Sequence, residues 1–145
     1  MAFESWRRPD VRSVITICAV SALLCSCGSS KSVELAKRNV EQFHSELDSE
    51  QYAAVYAACD EKFQQVSTES EFARLLEAIH GKLGNVQKAD LRDTRTVSLQ
   101  GEGAMVTLEY ETKFAEGTGT EKFSWHIKDR GAALYRYEID SDKIK

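Results

Sequence analysis

The hydrophobic pattern changes period once along this chain, near residue 85, and that switch constrains the fold more than any other feature. From Val33 to Leu83, apolar residues recur every three or four positions, as one face of an α-helix requires. Val33, Ala36, Val40, Phe43 and Leu47 form a first stripe. Tyr52, Val55, Tyr56, Cys59, Phe63 and Val66 form a second, opened by Asp48-Ser-Glu-Gln51, which reads as a capping box. Thr68-Glu-Ser-Glu71 is another such box, followed by Phe72, Leu75, Leu76, Ile79 and Leu83, with Gly81 or Gly84 as the stop. Three helices are predicted.

Beyond residue 85 the period falls to two. Val106, Leu108, Tyr110 and Phe114 alternate with polar neighbours, as do Phe123, Trp125 and Ile127. Tyr135, Tyr137 and Ile139 oppose Leu134, Arg136 and Glu138, and a weaker extended run lies between Val86 and Gln100. The gaps at Gly101-Glu-Gly103, Glu116-Gly-Thr-Gly119 and Asp129-Arg-Gly131 are too short for parallel crossovers. The expectation is an α+β domain over residues 32–145. Three N-terminal helices would pack on one face of a curved antiparallel sheet of about four strands.

The paired helix stripes, Val97-Ser-Leu99, Val106-Thr-Leu-Glu-Tyr110, Phe114-Ala-Glu-Gly117, Glu121-Lys-Phe123 and Tyr135-Arg-Tyr-Glu-Ile139 occur in this order. That order resembles the cone-shaped fold of the nuclear-transport-factor-2-like superfamily, within the broad cystatin-like architecture. The resemblance is to its small secreted or lipid-anchored bacterial domains, and it implies a pocket between sheet and helices.

Ahead of the first stripe, Arg7, Arg8 and Arg12 precede Ser13–Leu24, a run of about twelve small or apolar residues. A helix of that length spans roughly 18 Å, short of the ~30 Å hydrocarbon core. Leu24-Cys25-Ser26-Cys27-Gly28 follows. It resembles the lipobox of bacterial lipoproteins. The resemblance implies cleavage before Cys27 and acylation of that cysteine, two or three chains making the attachment effectively permanent. Gly28 in place of aspartate implies sorting to the outer membrane, with the domain in the periplasm. A conventional secretory signal cut near Ser26, or an uncleaved anchor, are the alternatives. Residues 27–31 then form a short linker whose extended reach is roughly 14 Å.

Nineteen basic against twenty-three acidic residues give a net charge of −4, which argues against a nucleic-acid partner. Removing 1–26 takes three arginines and two acids, leaving sixteen against twenty-one, so a basic patch would not hold the domain at a membrane. The inferred inward face (Val106, Leu108, Tyr110, Phe114, Phe123, Trp125, Ile127, Tyr135, Tyr137 and Ile139) contains no carboxylate. Asp93 and Arg95 share parity with Leu91, Val97 and Leu99. This marks first of all a bulge or a strand end that has left the core; without one, the pair would orient a polar ligand at a pocket. Tyr110, Trp125 and Tyr137 suit either a core or a pocket for a small apolar ligand. His44 and His80 flank stripes on different helices and His126 alternates outward beside Lys122 and Lys128, so no metal and no cofactor are expected. With Cys27 acylated, Cys59 is the one thiol left, expected buried and inert in the second helix.

The functional expectation is a membrane-anchored, non-catalytic binding module contacting an envelope protein or a small apolar ligand. The alternatives are an isomerase- or hydrolase-like enzyme using the pocket, or a structural subunit of an envelope assembly.

Overall fold

The first helical stripe folds as its spacing demands and continues further toward the N-terminus. In the computed structural model, which describes residues 27–129 and 131–144, helix α1 runs Cys27–Asp48. Ala36, Val40, Phe43 and Leu47 are its buried face. Residues 28–31, expected as an extended linker, are exposed and helical, part of α1.

The second stripe divides. α2 (Tyr52–Ala57) and α3 (Glu61–Val66) replace the single expected helix, so α4 (Glu69–Leu83) is the fourth helix rather than the third. Competition for backbone hydrogen bonds causes the break. Leu134 N–H donates to the Ala58 carbonyl at 3.0 Å, and Asp60 N–H donates to the Leu134 carbonyl at 2.8 Å. The Ala58 carbonyl and the Asp60 N–H therefore pair with the sheet edge instead of with the helix, and Cys59 forms a parallel bridge to Leu134. The Asp60 carboxylate then caps α3 by accepting from Lys62 N–H at 3.0 Å. Asp48 does not cap α2. Its carboxylate accepts from Val86 N–H at 2.9 Å and so ties the end of α1 to the start of the sheet. The Thr68–Glu71 box forms as expected, and Gly84 ends α4 at φ 73°.

The sheet is an antiparallel meander, β1 (Val86–Leu99), β2 (Gly103–Phe114), β3 (Thr118–Lys128) and β4 (Gly131–Asp140), in that spatial order. The helices pack on one face, which is α+β architecture. Val106, Leu108, Phe114, Phe123, Trp125 and Leu134 meet Val40, Phe43, Leu47, Leu76, Ile79 and Leu83 in one core. An irregularity opposite Ser124/Trp125 shifts the parity of β4, so Leu134 points inward and Tyr135 lies 37% exposed, the reverse of the expected alternation. Gly103 admits no side chain: at φ 89°, a Cβ there would fall 2.0 Å from the Ile127 carbonyl oxygen.

Candidate functional site

The strand β3 alternation does not begin at Phe123 but two residues earlier, at Glu121. Glu121 shares the inward face with Phe123 and Trp125 and is 0% exposed, which corrects the expectation of a carboxylate-free face. Thr112, two residues beyond Tyr110 on β2, is likewise 0% exposed. Three donors converge on the Glu121 carboxylate. His44 on α1 lies 2.8 Å from Oε2 through Nε2. Thr112 Oγ1 donates to the same oxygen, and the Tyr137 hydroxyl donates to Oε1 at 2.8 Å. A buried acidic group needs such partners, since an unpaired one carries its full desolvation cost.

The cluster sits among rings. Phe43, Phe123 and Tyr137 have centroids 4.8–5.1 Å apart, and His44 meets Phe123 edge-on at 5.7 Å. Burial, then the charge of Glu121 and the hydrogen bond to it, push the Tyr137 phenol well above its ordinary value, so it stays a donor. A carboxylate in contact with both an imidazole and a phenol supplies the parts of general acid–base chemistry.

Of the residues singled out from sequence, the structure brings Tyr110, Trp125 and Tyr137 around Phe123, at centroid distances of 6.2, 6.3 and 5.1 Å. Tyr110 faces α1, where burial and then Glu41 and Glu34 raise its phenol. Among the described residues the buried Trp125 indole Nε1 has no hydrogen-bond partner, and Trp125 lines a cleft with Asn39, Gln42 and Glu46 large enough for about one water. Asp93 and Arg95 do not join this group. The ladder irregularity between Leu91 and Asp93 turns them to the outer face, opposite Glu109 and Thr107, where both are exposed. Val97 and Leu99 turn with them, while Leu91 stays opposite Tyr110 on the helix-covered face.

His126 corrects another expectation. It does belong to the outer face, yet it is 3% exposed, because residues distant in sequence cover it. Its Nδ1 meets Asp60 Oδ2 at 3.0 Å and its Nε2 meets the Glu102 carbonyl at 2.9 Å. Burial pushes the Asp60 carboxyl up, but the Lys62 amide, His126 and Lys128 outweigh it and hold the group below its ordinary 3.8. Cys59 is buried as expected and unbridged among the described residues, its thiol pushed up to about 12 by burial, although it lies between helices rather than within one. Among the described residues, no three His, Cys, Asp or Glu side chains are placed to hold a metal ion.

The sequence matches a family described as "Protein of unknown function (DUF4019)" over residues 39–134. This chain belongs to that family. The DUF4019 match runs from within α1 to Leu134 and contains His44, Thr112 and Glu121 but not Tyr137. No curated protein matches the chain in sequence. Among the described residues, no helix is long and apolar enough to cross a membrane, while Leu24, Cys25 and Ser26 of the expected lipobox lie outside them.

Proposed function

We propose that this DUF4019 protein is a lipoprotein held at the outer membrane through acylated Cys27, its α+β domain serving in the periplasm as a non-catalytic interaction module. The motif Leu24-Cys25-Ser26-Cys27 behind a short apolar run carries this reading. The fold adds a mechanical consequence. α1 is helical from Cys27 onward and its first side chain packed against the core is Val33, so six residues of helix, roughly 9 Å, separate the lipid from the core. A helical stalk of that length holds the domain against the bilayer and limits its partners to proteins within reach of the same surface. The layering of helices on one face of a meander sheet supports a place in the cone-shaped nuclear-transport-factor-2-like group. Clickable fatty acid should label the wild-type protein in its own cells and not Cys27→Ala; equal labelling of both would overturn the proposal.

One observation favours a second reading, a small-ligand site or an isomerase- or hydrolase-like activity. It is the Glu121–His44–Tyr137 contact. This reading requires the cluster to open to solvent. Hydrogen exchange at Phe43 and His44 much faster than global unfolding would support it, and exchange at the global rate would exclude it.

A further inference from the structure

β1 is an edge strand of fourteen residues, and among the described residues none of the backbone hydrogen bonds outside the helices and the sheet ladder reaches residues 87–98. Such an edge is a template for another strand, and charge along it ordinarily deters pairing. Here the order of charges favours one pairing. We propose that the β1 edge is a homodimer interface, in which two copies pair antiparallel about a two-fold axis between Arg92 and Asp93 to give a continuous eight-stranded sheet.

The register follows from the sequence of the strand and its bulge. About that axis Asp90 lies opposite Arg95, and Arg92 opposite Asp93, each pair occurring twice. Lys88 then faces Val97, Leu91 faces Thr94 and Ala89 faces Thr96. In an unbroken strand, residues an odd number of positions apart would point to opposite faces. The extra residue at Arg92 removes that conflict: Asp90 and Arg95 both lie on the outer face, while Leu91 and Thr94 both lie on the inner one. Sliding by two residues one way sets Asp90 against Asp93 and Lys88 against Arg95. Sliding the other way sets Arg92 against Arg95. Both alternatives place like charges in opposition, which destabilises a ladder.

The side chains are free to engage. Asp93 and Arg95 are exposed and have no side-chain partner among the described residues. Asp90 is held by Lys88 at 2.8 Å, and Arg92 by Glu111, so the dimer would extend two existing pairs into networks. Val97, 51% exposed, and Leu91, 37% exposed, add apolar surface that the pairing would cover. Roughly ten backbone hydrogen bonds would form across 88–97. The inference is independent of lipidation.

Sedimentation equilibrium of the full chain in mild detergent tests it, with far-UV circular dichroism confirming that each surface variant folds. The wild type should dimerise reversibly. Asp90→Arg and Arg95→Asp should each raise the dissociation constant about tenfold (about 1.4 kcal/mol), because each reverses two pairs. The double variant Asp90→Arg/Arg95→Asp should recover the wild-type constant. A wild type that remains monomeric at every concentration, or a dimer indifferent to the single reversals, would overturn the proposal.

Discussion

Glu121 shows how much depends on one side chain in this core. Removing it leaves the His44 imidazole and the Thr112 and Tyr137 hydroxyls without their acceptor in a buried site. Glu121→Ala should therefore lower stability by about 3 kcal/mol or more, and Tyr137→Phe by about 1 kcal/mol, read as shifts of the urea midpoint. Tyr137 also makes stability depend on alkali. Its phenol is raised above the ordinary 10.0, so its contribution is complete below that pH and is lost as pH rises toward the folded value. Of the five tyrosines, Tyr137 should stay un-ionised by ultraviolet titration until the fold itself gives way. The position of Glu121 was legible: the alternation through Phe123 and Trp125 extends back to it without a break. His44 was half legible, standing four residues after Val40 at the margin of the α1 stripe. Their contact was not, because seventy-seven residues separate them and no local period encodes a long-range pair.

Among the elements, the break between α2 and α3 is the informative one. Periodicity across Tyr52–Val66 favours one helix, but the unpaired edge of β4 offers residues 58–60 hydrogen bonds that a continuous helix would forgo. Asp60, a residue type favoured at N-caps, was the sign of a new start; that the β4 edge stood ready was invisible until the sheet formed. Asp60→Ala should remove the α3 cap and the His126 contact together, costing about 2 kcal/mol by urea unfolding. Because the Asp60 carboxyl is held below 3.8, its contribution is present above that pH and fades as acid carries the solution through the folded value. The wild type should thus lose stability at acid pH more steeply than Asp60→Ala. The turn between β1 and β2 depends on Gly103 in a different way. Gly103→Ala meets the Ile127 carbonyl and a left-handed φ at once, so a loss of about 3 kcal/mol is expected, checked by thermal unfolding. The strand order itself was plain from three short turns. The β1 bulge was signalled by charged Asp93 and Arg95 sharing parity with Leu91, Val97 and Leu99, whereas the irregularity beside Ser124/Trp125 left no such mark.

For the whole molecule, layer order and the separation of helices from sheet were readable from the single change of period, and the core lies between the helices and the sheet. The proposed placement in the cell rests on sequence chemistry rather than shape: a cysteine behind a short apolar run, Leu24-Cys25-Ser26-Cys27. Mass spectrometry of the intact protein extracted from membranes of its own cells tests that placement most directly. The account predicts a chain beginning at residue 27 and heavier than its amino acids by a diacylglyceryl group and a further acyl chain. A chain that keeps residues 1–26, or one that begins at an unmodified Cys27, would contradict it.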